Sequence, residues 1–197
     1  MIVRRFFVTV FAATLLVGAC GGDPPPPPPP PQPDQDSLQR YNDSVAAAEA
    51  ERRRQAEEEA ARRAEEAERA RLVREARATL EEMVFFDYDE SELRSDAETA
   101  LRAKVDILRA SPQVRLRIEG HADERGSTEY NMALGNRRAE SVRQFLSGFG
   151  LAENRFEIVS FGEGRPLQQG SNENAWARNR RAQFVITAGA NAINPPS

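Results

Sequence analysis

The chain has 197 residues and a formal net charge of -4, with thirteen prolines, one cysteine and one histidine. It can therefore close no internal disulfide and assemble no Cys/His zinc cluster, which needs three or four ligands. From Val84 onward sixteen acidic residues stand against fifteen basic ones, without the basic excess that binding a phosphate backbone requires, so nucleic acid is not an expected partner.

The start reads Arg4-Arg5, then an apolar run over residues 6–17, then Gly18-Ala19-Cys20. A basic region, a short apolar stretch and small residues before a cut predict a secretory signal peptide over residues 1–19. The run is short for a membrane span, which needs about 20 residues. Val17-Gly18-Ala19-Cys20 resembles the bacterial lipobox. That resemblance implies a diacylglyceryl group on the Cys20 thiol, cleavage before it and acylation of the new amine. Several acyl chains anchor a protein to a membrane far more firmly than one. Gly21 follows the cysteine instead of the aspartate of an inner-membrane retention signal, which implies delivery to the outer membrane, facing the periplasm.

Residues 20–37 read as a linker. The unbroken proline run over residues 24–31 predicts a semi-rigid polyproline II stalk, at about 3.1 Å per residue. Residues 38–82 are dominated by Ala, Glu and Arg, all strong helix formers. Glu49 and Arg53, Glu58 and Arg62, Glu59 and Arg63, and Glu65 and Arg69 stand at i,i+4 in the favourable Glu-first order. The apolar positions are nearly all alanine, without a Leu/Ile heptad seam, so a solvated charged helix is expected in preference to a tight coiled coil. Its length would be roughly 70 Å at 1.5 Å per residue.

Residues 83–189 carry the mixed apolar content of a folded domain, and residues 190–197 read as a flexible tail. Val84-Phe85-Phe86-Asp87-Tyr88 is a strand by composition. Ser95-Asp96-Ala97-Glu98 has the form of a capping box, followed by Leu101, Val105 and Leu108 at helical spacing up to Pro112. Val114, Leu116 and Ile118 alternate with Arg115, Arg117 and Glu119, as in a half-buried strand. A polar loop from His121 to Thr128 leads to a helix over residues 129–149, with Leu134, Val142, Phe145 and Leu146 inward. Phe156, Ile158 and Phe161 mark a third strand, and after a short helix residues 184–187 form a fourth. The order β-α-β-α-β-(α)-β predicts an α+β fold, two main helices on one face of a four-stranded mixed sheet.

Within this domain, Gly120-His121-Ala122-Asp123-Glu124-Arg125-Gly126 is followed by Glu129-Tyr130-Asn131, Leu134-Gly135 and Arg138-Ala139. These residues resemble the OmpA-like peptidoglycan-binding family, whose pattern N-x-x-L-S-x-x-R-A-x-x-V is matched by Asn131, Leu134, Arg138, Ala139 and Val142. Gly135 departs from it, standing where the pattern has Ser. The Asp-Glu-Arg-Gly loop and the Leu-Gly variant are similar to one branch, the peptidoglycan-associated lipoproteins. Phe161-Gly162-Glu163, Pro166 and Asn179-Arg180-Arg181 add to the likeness, which covers about 105 residues.

The resemblance implies non-covalent binding of peptidoglycan, with Asp123 taking the ammonium and Arg138 the carboxylate of a diaminopimelate residue. Phe86, Asp87 and Asn131 match positions lining the same pocket, and Arg180, with Arg181 beside it, matches a further contact. The chemistry is coherent, because a zwitterion needs one anion and one fork-shaped cation, and arginine can grip a carboxylate bidentately. From spacing alone, a surface ion pair is the favoured reading of Asp123 and Arg138, and the full motif reverses that preference. Asn131 fits either a ligand contact or a residue whose side chain satisfies helix-start donors. His121 reads as a structural loop histidine and Trp176 as a core or rim aromatic.

The resemblance further implies a tether between outer membrane and wall within the Tol-Pal system, with TolB and other Tol proteins as partners. The alternative is an OmpA-like lipoprotein anchored to the wall outside that system. A flagellar stator would need a transmembrane helix where this chain has a lipobox. No enzymatic activity, cofactor or metal is expected. A Ser-His-Asp triad would need His121 and the chain has no Gly-x-Ser-x-Gly elbow. Asp123 and Glu124 are adjacent and so diverge, a poor pair for glycan cleavage.

Overall fold

A computed structural model describes residues 34–196. The expected signal peptide, Cys20 and the proline run of residues 24–31 lie outside the described residues. The chain divides into two compact units, Met1–Arg52 and Arg53–Ser197. Helix α1 (Gln35–Glu81) begins in the first, where Asp34 caps it by accepting from the Ser37 backbone N–H at 2.6 Å.

Along the part of α1 in the second unit, charged side chains pair one turn apart. Arg63 bonds Glu59 as its spacing predicts. Arg62 instead lies 3.8 Å from Glu66, and Arg71 bridges Glu68 and Glu75. The end of the helix differs from a solvated rod. Ala76 and Leu80 are buried, with Val73 packed beside them in the same core as Leu101, Val105 and Leu108. That core also takes in Ile193, beyond the last strand, so it extends past residues 83–189 on both sides.

The domain proper runs β1 (Val84–Phe85), α2 (Ser95–Ala110), β2 (Arg115–His121), α3 (Thr128–Gly148), a 3-10 turn (Glu153–Arg155), β3 (Phe156–Gly162), α4 (Glu173–Asn179) and β4 (Arg181–Ala188). The sheet order is β1-β4-β2-β3, with β2 and β3 parallel and the other two pairings antiparallel. Helices α2 and α3 bury their apolar stripes against it, Leu101, Val105 and Leu108 from one and Leu134, Val142 and Leu146 from the other. The α+β architecture is the one expected from the order of elements.

Three local readings change. The strand expected over residues 84–88 ends at Phe85. The Phe86 N–H still donates to the Arg180 carbonyl at 3.0 Å, and then the backbone turns, with Asp89 at φ 59°. The capping box does not form, because Ser95 is already the first helical residue and Arg94 occupies the cap position. Glu98 pairs instead with Arg102 at 3.1 Å. Glu119, read as facing out, is buried and accepts from Arg117, 2.8 Å away.

Two glycines set the height of α3 above the sheet. A Cβ on Gly120 would stand 1.8 Å from the Gly135 carbonyl oxygen, so backbone rests on backbone. A Cβ on Gly135 would stand 2.4 Å from the Ser160 hydroxyl, which donates to the Met132 carbonyl at 2.7 Å. Ser160 thus fills the space that a side chain at position 135 would need, which accounts for glycine where the family pattern has serine.

Candidate functional site

The end of the sheet where β2 finishes gathers the motif. Asp123 follows β2, whose parallel pairing with β3 continues through the Ala122 N–H to the Gly162 carbonyl at 2.9 Å. Phe86 and Asp87 follow β1, Arg180 precedes β4, and Asn131 and Arg138 project from α3. Ser127 caps α3 by accepting from the Tyr130 N–H at 3.2 Å. Asn131 therefore does not serve as the cap. It lies one turn in, buried, its amide nitrogen without a hydrogen bond of ordinary geometry among the described residues.

A pocket of about 90 Å³ is lined by Tyr88, Asp89, Asp123, Arg125, Gly126, Tyr130, Asn131, Leu134 and Arg138. It is well below the roughly 300–1,000 Å³ of sites that enclose a whole small ligand. Its size suits the charged end of a side chain.

Asp123 is its buried anion, Asp89 being an exposed carboxylate at the rim. The Asp123 side chain is 5% exposed, and Arg125 holds it bidentately, Nε to Oδ1 at 3.0 Å and Nη2 to Oδ2 at 2.7 Å. Arg180 Nη1 approaches Oδ2 at 3.5 Å from behind. Burial works to raise the Asp123 pKa, but the hydrogen bonds and charge of Arg125, with Arg180, hold it below the usual carboxylate range.

Arg138 is its buried cation, with 0% exposure. Nε donates to the Glu90 carbonyl at 2.8 Å, Nη1 to His121 at 2.8 Å and Nη2 to Asp87 at 3.0 Å, with the guanidinium 5.2 Å from the Phe86 ring centroid. Of five N–H groups, two remain, one on each terminal nitrogen. Burial foremost, with repulsion from Arg180 and Arg137 and against the pull of Asp123 and Asp89, pushes its pKa down to about 10. It stays charged at neutral pH.

Asp123, Asn131 and Arg138 thus share one pocket. Phe86 and Asp87, expected to line it too, and Arg180, expected as a further contact, surround it instead. Phe86 is buried beneath Arg138 and offers its carbonyl to Arg180 Nε at 3.0 Å. The Asp87 carboxylate turns outward to Arg94 at 3.3 Å, and only its carbonyl faces Arg138. Arg180 braces Asp123 and bonds Glu173 at 2.8 Å. Phe86 and Arg180 line a neighbouring open groove with Phe85, Arg94 and Arg178. His121 ends β2, buried and stacked on Phe161 at 5.5 Å, and burial first, then Arg181 and Arg165, pushes its pKa down to about 3. It is a neutral structural residue.

Arg125, Tyr88 and Tyr130 join the site without having been expected in it. Tyr130 donates its hydroxyl to the Asp89 carboxylate. The Arg125 guanidinium lies between the rings of Tyr88, at 4.0 Å, and Trp176, at 4.1 Å. Arg125 and Tyr130 stood in the motif itself, so the signal was present and only their direction was not.

Residues 85–180 match the model of the OmpA family. The chain is 45% identical over 103 residues to the peptidoglycan-associated lipoprotein of Brucella melitensis, covering 52% of this chain and 61% of that protein. It is 46% identical over 100 residues to the protein of the same name from Pseudomonas aeruginosa, covering 51% and 59%. The chain thus spans less than two thirds of these relatives' length. The crystal structure of the peptidoglycan-associated lipoprotein from Burkholderia pseudomallei superposes with a TM-score of 0.52 at 40% identity, covering 53% of this chain and 89% of that one.

Proposed function

Since the chain belongs to the OmpA family, and within it sits beside the peptidoglycan-associated lipoproteins, we propose that it binds peptidoglycan without cleaving it. The stem peptide's diaminopimelate ends in an ammonium and a carboxylate on one carbon. Asp123 takes the ammonium. Arg138, fixed by three backbone carbonyls, offers the carboxylate its two remaining N–H groups. The single observation that carries this reading is an anion and a guanidinium lining one pocket of about 90 Å³, at the motif positions of the family. Asn131 is the polar wall between them. Phe86, Asp87 and Arg180 act from outside, by holding Arg138 and Asp123 in place.

Acyl chains on Cys20 would hold the protein in the outer membrane, facing the periplasm, so that the domain tethers that membrane to the wall. On this reading residues 1–19 are the removed signal, and α1 and the proline run are spacers. Mass spectrometry of the mature N-terminus checks the anchor, and an unmodified Cys20 would refute it. The same reading places the protein in the Tol-Pal system, in envelope integrity and division, with TolB as a partner. Peptidoglycan binding without TolB binding would point to wall anchoring outside that system.

The ligand itself supplies the test. A tripeptide ending in meso-diaminopimelate should bind at least about tenfold tighter than its lysine analogue, which lacks the carboxylate that Arg138 would take. Equal affinity for the two peptides would rule out the zwitterion clamp. Release of soluble fragments from purified peptidoglycan would contradict a purely binding role.

A further inference from the structure

A carboxylate offers about four lone-pair positions, and at Asp123 four N–H groups already meet them. Oδ1 accepts from the Arg125 backbone N–H at 3.1 Å and its Nε at 3.0 Å. Oδ2 accepts from Arg125 Nη2 at 2.7 Å and Arg180 Nη1 at 3.5 Å. An ammonium arriving at this oxygen pair has no unshared position to bond.

The two arginines differ in what holds them. Arg180 is buried and fastened to the Phe86 carbonyl and to Glu173. The Arg125 side chain is 29% exposed, on a loop beside Gly126 at φ 112°. Beyond Asp123 its guanidinium is held by the faces of Tyr88 and Trp176 and, at 3.9 Å, by Glu173. Trp176 is in turn fixed by its indole N–H, which donates to Glu124 Oε1 at 3.1 Å. Such a slot stabilises a cation whether or not it touches the carboxylate.

We propose that Arg125 is a resident cation that competes with the ligand's ammonium for Asp123, so that binding in this pocket is an exchange of one cation for another. The Tyr88–Trp176 slot keeps the guanidinium nearby when it withdraws, and its grip sets how readily Asp123 is released. The exchange rests on the assignment of Asp123 as the ammonium acceptor. It adds a specificity rule. A lone ammonium, with a single point of charge, displaces a bidentate guanidinium poorly, whereas a zwitterion that also gains Arg138 can succeed.

The test is calorimetry on the full chain and its Arg125→Gln variant, each titrated with the diaminopimelate tripeptide and with its lysine analogue. Glutamine removes the competing charge. The diaminopimelate peptide should then bind about three- to tenfold tighter, and the lysine peptide should gain by a larger factor. Unchanged or weaker binding of the first peptide would overturn the exchange and make Arg125 a structural or direct ligand contact. If thermal melting shows Arg125→Gln unfolded, Arg125→Lys makes the same comparison, because lysine keeps the charge but loses the fork. Tightening again supports the exchange, and equal or weaker binding overturns it. A companion titration of Asp123→Asn separates the two ideas. Binding equal to the parent would sink the acceptor assignment and the exchange with it. Loss of binding there, with no tightening in the Arg125 variants, would sink the exchange alone.

Discussion

Lys104 is the only lysine in the chain, which makes an unusual titration experiment possible. It is fully buried on α2, donating to the Thr79 carbonyl near the end of α1, with its Nζ 4.6 Å from the centre of the Phe184 ring. Burial foremost, opposed by Glu82, pushes its pKa down from 10.5 to about 8. Since the folded state disfavours the charged form, the unfolded chain binds the proton more tightly. Stability should therefore be lowest below about pH 8 and rise as the pH climbs towards 10.5. At about 1.4 kcal/mol per tenfold change in proton affinity, the gain across that window is roughly 3 kcal/mol. Urea denaturation of the parent and of Lys104→Met at pH 7, 8, 9 and 10 measures it. Methionine matches the length without the charge, so its stability should lack this rise. With no second lysine to overlap, the side-chain resonance of Lys104 reports the same pKa directly. A parent whose stability is flat or falls over this window, or a Lys104 resonance titrating near 10.5, would refute the argument.

Other substitutions probe the parts that shape the site. Gly120→Ala drives a Cβ into the Gly135 carbonyl and should cost about 3 kcal/mol or more in a chemical melt, at the upper end of overpacking effects. Leu80→Ala removes a fully buried side chain from the last turns of α1 and should cost about 2–5 kcal/mol, whereas a purely solvated spacer would tolerate it. Arg138→Lys leaves at least two of the Glu90, His121 and Asp87 carbonyls without their partner. A loss of about 2–4 kcal/mol is expected by urea denaturation, and an unchanged midpoint would show that this guanidinium does not organise the turn after β1.

The elements were legible where one physical rule governs many residues. Leu101, Val105 and Leu108 announce α2 by period, and Val114, Leu116 and Ile118 announce β2 by alternation, because one face of each meets the core. Readings failed where a single tertiary contact outweighs local pattern. Ser95 has the right neighbours for a capping box, yet the helix starts one residue early. Phe86 and Asp87 lie in an apparent strand, but Arg138 draws the carbonyls of Asp87 and Glu90 to itself and the backbone turns. Leu80 belongs to the core although it follows a long Ala/Glu/Arg stretch: Val73, Ala76 and Leu80 do stand at i, i+3 and i+7, but so brief an apolar stripe is swamped by the charged run of a 47-residue helix. The motif placed Asp123 and Arg138 together. That Arg125, two residues along, folds back onto Asp123 depends on the loop path and on Tyr88 and Trp176, which are distant in sequence.

The central claim is that Asp123 is the anion of a zwitterion clamp. The most direct measurement is the affinity of Asp123→Asn for a tripeptide ending in meso-diaminopimelate, by calorimetry against the parent. The side chain keeps its shape and loses its charge, so a loss of about tenfold or more is predicted, the value of one charge-assisted hydrogen bond or salt link in a buried pocket. A folded Asp123→Asn protein that binds the peptide as tightly as the parent would contradict the clamp.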